Sequence, residues 1–144
     1  MLLVDANIVA YLLVEGANTA QARALWAIGN EWQAPRLLSY ELTSVFVQLV
    51  KQRAIPLEAA IAGAESVAGL VHLHDQDPPA ARVLEIATKL GLSAYDATYL
   101  AAAEALDMPL VTADGRLLRA APRITRSLES LTAGRTPEPR RPLP

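Results

Sequence analysis

The chain contains no cysteine, only two histidines, and few aromatic residues, at 5%. Without thiols, disulfide staples and thiolate zinc or redox centres are excluded, and a reducing compartment is the natural setting. With aromatic rings so scarce, the core has to be aliphatic. Charged residues are also sparse at 19%, against 52% hydrophobic. That balance excludes disorder for the main body and points to a sheet or helix layer covered on two sides. A membrane-length apolar run is missing as well: the opening MLLVDANIVAYLLVEG is broken early by Asp5, lacks a basic leader and falls short of a span. It reads as a first strand and helix, so a soluble cytoplasmic protein is expected.

The length of 144 residues suits one domain with a real core. That domain is expected over residues 1–132. A tail over residues 133–144, with Pro137, Pro139, Pro142 and Pro144, has too little apolar content to pack. Net charge is only −2, but unevenly spread. Up to Asp114 there are six basic and thirteen acidic residues, whereas the remainder holds seven basic and two acidic. An acidic body with a basic end is suited to a cation in one place and a phosphate backbone in another, although a solvated surface explains the same asymmetry.

Residues 2–4 form an apolar run ending in Asp5, as a buried strand feeding a helix of about two turns does. Asn18 is positioned to cap a second helix carrying Ala22, Leu25, Trp26 and Ala27, with Gly29 and Asn30 as stop signals. A weak strand over residues 34–38 follows. Ser39 is then expected to cap a helix in which Leu42, Val45, Phe46, Leu49 and Val50 recur at helical spacing. Pro56 opens a helix closed by Gly69, residues 70–74 are a strand, and Pro78 and Pro79 start a helix ending at Gly91. Ser93 caps a helix over residues 94–106. Short strands at residues 109–112 and 123–125 complete the pattern. Short strands alternating with long helices imply parallel pairing through helical crossovers, an open α/β/α sandwich with a short-stranded, mainly parallel sheet.

In this reading four acids occupy equivalent places. Asp5 and Asp114 follow strands, while Glu41 and Asp96 lie in the first turns of helices that follow loops. At the carboxyl edge of a parallel sheet such junctions converge on one crevice. Carboxylates gathered there repel one another, so their pKa values rise or a cation neutralises them. An all-oxygen set without cysteine suits Mg2+ or Mn2+ better than zinc or copper. Such an ion activates water against phosphorus, which is metal-assisted phosphodiester hydrolysis. Each acid also has an ordinary explanation. Asp96 completes a capping box with Ser93, Glu41 favours a helix dipole, and Asp114 belongs to an Asp-Gly turn. Asp5 is the hardest to explain away, because an unpartnered ion beside a buried strand costs several kcal/mol, on the order of 3–5.

The segments VDANIVAYLL, SYELTSVFVQLV, LSAYDATYLAAAEAL and LVTADGRLL, in that order, resemble the four acidic motifs of the PIN-domain family. The likeness spans about residues 2–125 and is greatest to the VapC toxins of toxin-antitoxin pairs, whose antitoxins are of the VapB kind. The resemblance implies a PIN-like α/β/α sandwich and a Mg2+- or Mn2+-dependent endoribonuclease leaving a 5'-phosphate and a 3'-hydroxyl on a structured RNA. It also implies Asp5, Glu41, Asp96 and Asp114 as catalytic metal-binding acids, with Asn7 and Thr112 as polar neighbours. A VapB-type antitoxin and a homodimer are its implied partners.

Beyond these motifs, Arg116, Arg119, Arg123 and Arg126 follow Asp114 closely and are candidates for phosphate contacts, Arg116 and Arg119 first. His72, His74, Asp75 and Asp77 suggest a second metal site, though a strand running into a polar loop accounts for the same residues. Tyr95 and Tyr99 are placed to stack on bases, but spacing of i and i+4 beside Leu100 favours packing. The Ala-rich faces of residues 94–105 and 59–68 suit close helix approach in a dimer. Two rival functions remain open. One is a phosphatase or phosphotransferase with Asp5 as nucleophile, for which Asn7 and the lack of a receiver-like acidic pair are unfavourable. The other is an idle binding module whose acids receive a partner's arginine.

Overall fold

The computed structural model describes residues 1–29 and 31–134. Five short strands form one parallel sheet: β1 (Leu2–Val4), β2 (Trp32–Pro35), β3 (Val71–His74), β4 (Leu110–Thr112) and β5 (Thr125–Ser127). Between and after them run α1 (Ala6–Leu13), α2 (Thr19–Ile28), α3 (Leu37–Lys51), α4 (Leu57–Leu70), α5 (Ala80–Leu90), α6 (Ala94–Leu106), α7 (Gly115–Ala120) and α8 (Leu128–Thr132). The strand order is β3-β2-β1-β4-β5. The chain therefore steps one way from β1 through β3 and then crosses to the other side of β1. Right-handed crossovers put the helices of these two halves on opposite faces. Contacts agree: α1 packs on α2 and α3, α3 on α4 and α2 on α8, while α5 packs on α6. The result is the expected α/β/α sandwich. Its aliphatic centre is Leu3, Val4, Ile8, Leu38, Leu100, Leu110 and Val111, none of them exposed.

Several boundaries differ from the sequence reading. The second strand is Trp32–Pro35, not residues 34–38. Trp32 and Ala34 alternate inward, and Pro35 holds its predecessor extended while Leu37 and Leu38 turn into α3. That helix starts two residues before Ser39, so Ser39 is not its cap, and the preceding Arg36 already has helical angles. Nor does Gly69 end α4, which runs on to Leu70 and passes directly into β3. Buried Val67 and Leu70 anchor that last turn, and packing outweighs the propensity cost of glycine. The final strand lies two residues later than expected, because Ile124 closes a turn onto Ala121. Asn18 precedes α2 without a side-chain cap bond; Thr19 Oγ1 instead accepts from the Gly16 amide at 2.8 Å. By contrast Ser93 caps α6 as expected, and Gly91 ends α5 in the left-handed region. Asn30 and, apart from its first two residues, the expected tail over 133–144 lie outside the described residues.

Candidate active site

The reversal of strand order opens a crevice at the carboxyl ends of β1 and β4, the general ligand position in open parallel sheets. The Asp5 amide donates to Val111 O across it at 3.4 Å. Asp5 follows β1 and caps α1, its Oδ1 accepting from the Ile8 amide at 3.0 Å. Asp114, two residues past β4, caps α7, its Oδ1 accepting from the amides of Arg116 at 2.7 Å and Leu117 at 3.4 Å. Asp96 is in the first turn of α6. Glu41, expected in a first turn, is instead the fifth residue of α3. At that depth the helix dipole no longer accounts for it, since the effect fades beyond the first turn.

All four acids line one cleft of about 430 Å³, together with Asn7, Tyr40, Ser44, Tyr95 and Tyr99. Of the polar neighbours anticipated, Asn7 is exposed at the cleft, and Thr112 is wholly buried with Oγ1 accepting from the Asp114 amide at 3.0 Å. Asp5 is 7% exposed. Desolvation, and to a lesser degree the charge of Glu41, push its carboxyl from 3.8 up to about 6, against the lowering effect of the Thr112 hydroxyl and the Ile8 amide. Glu41 is raised too, chiefly by burial and further by Asp96, while a hydrogen bond from Tyr99 opposes the rise. That bond, Tyr99 Oη to Glu41 Oε2, is 2.7 Å long and joins the two helix layers over the sheet edge. Burial and the charges of Glu41 and Asp5 hold the phenol protonated, well above its ordinary range.

The capping box at Ser93 is half made. Ser93 Oγ accepts from the Asp96 amide at 3.0 Å, while the Asp96 carboxylate takes Arg116 Nη2 at 3.1 Å. Arg116 thus meets Asp114 through its backbone and Asp96 through its side chain. Arg119 is not among the cleft-lining residues, and its guanidinium lies back over Gly115 of its own helix. Arg123 faces a separate hollow beside α5 and α6, and Arg126 donates to the carbonyls of Thr125, Arg123 and Pro122. Among the described residues the histidines of β3 do not gather a metal set with Asp75 and Asp77. His74 Nε2 meets Gln33 Oε1 at 2.6 Å, and the two imidazoles pack edge to face. Tyr99, which its spacing suggests is packing, instead bonds an acid of the cleft; its position one turn after Asp96, facing inward, was the available signal.

The donor set suits a hard divalent ion. It offers only carboxylate, hydroxyl and amide oxygens, and two of its acids have their charged forms disfavoured by burial and by a neighbouring carboxylate, Glu41 for Asp5 and Asp96 for Glu41. Among the described residues no three acidic or imidazole side chains already close on a single point. Mg2+ keeps several waters and takes one or two carboxylates directly, so a ring wider than an inner coordination sphere fits it.

The family model for the PIN domain matches residues 2–122. The chain belongs to the PIN-domain family. Solved structures carry the same fold. The PAE2754 protein of Pyrobaculum aerophilum is 27% identical with a TM-score of 0.73, over 90% of this chain and 84% of that one. A toxin-antitoxin complex from Klebsiella pneumoniae is 21% identical with a TM-score of 0.66, over 89% and 98%. Mycobacterium tuberculosis VapC20, a sarcin-ricin-loop-cleaving toxin, is 20% identical with a TM-score of 0.64, over 83% and 95%. No curated protein matches in sequence. In this PIN domain no helix among the described residues is long and apolar enough to cross a membrane.

Proposed function

We propose that this PIN-domain protein is a metal-dependent endoribonuclease, the VapC-type toxin of a toxin-antitoxin pair, acting through Asp5, Glu41, Asp96 and Asp114. The observation that carries the reading is that these four acids, two at the ends of β1 and β4 and two on α3 and α6, line one cleft at the strand-order reversal. Bound Mg2+ or Mn2+ would supply an activated water and charge stabilisation at the leaving oxygen. Asp5, fixed by the Ile8 amide, and Glu41, fixed by the Tyr99 phenol, would present preset oxygens to such an ion. Asn7 and Thr112 orient groups at the same edge. Arg116, 61% exposed in its side chain, is free to exchange Asp96 for a substrate phosphate; Arg119 lies a turn further on.

The similar structure solved as a toxin-antitoxin complex from Klebsiella pneumoniae supports a VapB-type partner for this chain. Leu57 and Ile61, 59% and 48% exposed, form with Ala64 and Ala68 an apolar stripe on α4 for a partner helix or a second copy. The Ala-rich face of α6, expected at a dimer contact, is spent within the protomer: Ala97, Ala101, Ala102 and Ala103 are all buried. A phosphoaspartate at Asp5 finds little support, because neither lysine of the chain lines the cleft. The decisive assay incubates partner-free protein with RNA and Mg2+ or Mn2+. Cleavage leaving 3'-hydroxyl ends, abolished by EDTA and by Asp5→Asn with an unchanged circular dichroism spectrum, is the expected outcome. Purified protein that holds the fold yet cuts nothing with either ion would leave an idle binding module.

A further inference from the structure

The chain has seven Phe, Trp and Tyr residues. Phe46, Trp32 and Tyr99 are buried, and Tyr11 and Trp26 are half-buried against the core. The two that are exposed, Tyr40 at 74% and Tyr95 at 61%, both line the acidic cleft. Each directly precedes one of its acids, Tyr40 before Glu41 on α3 and Tyr95 before Asp96 on α6. Successive residues of a helix point about 100° apart. Where the carboxylate turns into the cleft, the ring before it therefore stands on the rim. The two rims belong to opposite helix layers, joined underneath by the Tyr99–Glu41 bond. Two solvated rings in so aromatic-poor a chain, both at the mouth of one cleft and on either side of its acids, bracket the place where a phosphodiester would lie. Arg116 on Asp96 adds a cation for that phosphate.

Bases project from both sides of a phosphodiester, and every base offers a face on which a tyrosine can stack. In a duplex those faces are already covered by neighbouring bases, whereas loops and unpaired strands can splay them outward. We propose that Tyr40 and Tyr95 form a two-sided stacking clamp for the unpaired bases flanking the scissile phosphate, which selects single-stranded or looped RNA over duplex. The clamp rests on the nuclease reading above and names its substrate class. Tyr99, buried below, takes no part in stacking.

The test measures binding of three labelled RNAs by fluorescence anisotropy, in an Asp5→Asn background so that none is cut: an unpaired oligonucleotide, the same sequence as a duplex, and a strand of abasic sugars. Tyr40→Ala and Tyr95→Ala are each expected to weaken unpaired RNA by about 5- to 150-fold, the measured range for one lost base stack. Duplex and abasic strand should bind the alanine variants as they bind the parent, and Tyr→Trp at either position should keep the affinity for unpaired RNA. Melting curves confirm that the exposed substitutions leave the fold intact. Alanine variants that bind unpaired RNA as tightly as the parent, or that lose the abasic strand equally, overturn the clamp. So do variants that keep RNA affinity but lose a purified protein partner, which would make the rings a protein contact. If the wild type cuts RNA while the variants bind normally, only the clamp falls; if the wild type neither binds nor cuts RNA, the nuclease reading falls with it.

Discussion

Replacing Tyr99 with phenylalanine removes one oxygen from the middle of the cleft and leaves the packing of the ring in place. Tyr99 is 2% exposed, and its phenol donates to Glu41 Oε2 at 2.7 Å. A hydrogen bond to a charged group contributes about 1.5–3 kcal/mol, and the half-buried position of Glu41 favours the lower end, because water recovers part of the loss. The bond stabilises the ionised form of Glu41 against burial and the charge of Asp96. Without it, the pKa of Glu41 rises further. A carboxylate that must be ionised to act loses its contribution as pH falls through its pKa, so the acid limb of kcat/KM moves to higher pH in the variant. At about 1.4 kcal/mol per factor of ten, activity on that limb falls about tenfold, with recovery toward the wild type at higher pH. Initial rates on a fluorophore-quencher RNA at saturating Mn2+, taken across the acid and neutral range, read both features. An unmoved limb, or a uniform loss at every pH accompanied by a lower melting temperature, would refute the positioning role and leave Tyr99 as a packing residue.

Asp5→Asn should stabilise the metal-free protein near neutral pH. A folded-state pKa raised from 3.8 to about 6 means that the native state binds the extra proton between those values, so stability declines as pH rises through that window. The difference corresponds to about 3 kcal/mol, which urea melts of wild type and variant at pH 4 and pH 7 would resolve; identical pH dependence in both would contradict it. Mn2+ should raise the wild-type melting temperature, with about 2.7 kcal/mol of stabilisation at a hundredfold excess over Kd, and EDTA should reverse it; Asp5→Asn should blunt the response. Gly63→Ala is expected to lower the melting temperature by several degrees although alanine favours helix by about 1 kcal/mol. Its Cβ would lie 2.6 Å from Cζ of Phe46, a ring 3% exposed, and overpacking costs about 1–3 kcal/mol. A rise in melting temperature would mean that α3 and α4 separate freely.

What was legible in the sequence follows from which forces are local. Asp5, Asp96 and Asp114 stand at element starts, where a cap leaves a mark within three or four residues: Ser93 three before Asp96, Gly115 after Asp114, an apolar strand before Asp5. The alternation of strands and helices likewise gave the layers. Strand order was not legible, because it depends on which way each crossover turns and not on any residue within it. The start of α3 was misplaced for a related reason. Ser39 has the chemistry of a cap, but Leu38 is fully buried under the sheet edge, and burial of that residue outweighs one capping bond. The role of Tyr99 was hidden because its partner lies 58 residues away on another helix. Among the arginines after Asp114, spacing could not separate Arg116, which reaches Asp96, from Arg126, which closes its own loop.

The placement of Asp5 bears on why the site exists at all. A carboxyl made costly by desolvation opposes folding by about as much as a large buried side chain favours it. The chain makes that cost larger still by setting Glu41 near enough to raise Asp5, and Asp96 near enough to raise Glu41. Purely structural acids would do better spread apart, each with its own cation, as Glu15 does with Arg23 and Glu104 with Arg82 on the surface. Of these three acids only Asp96 has a basic partner within the described residues, and that partner is the exposed Arg116. On the proposed reading, a fold that concentrates like charge at the crevice its topology opens, and braces it with Tyr99 and the Ile8 amide, gives up stability for affinity toward a cation. A divalent ion binding the ionised acids should therefore oppose the loss of stability between pH 4 and pH 7, by an amount that grows with its concentration over Kd. Because the ion binds the ionised carboxylates, its stabilising effect at one fixed concentration should be much smaller at pH 4 than at pH 7, and an effect equal at both would mean that its ligands are not these acids.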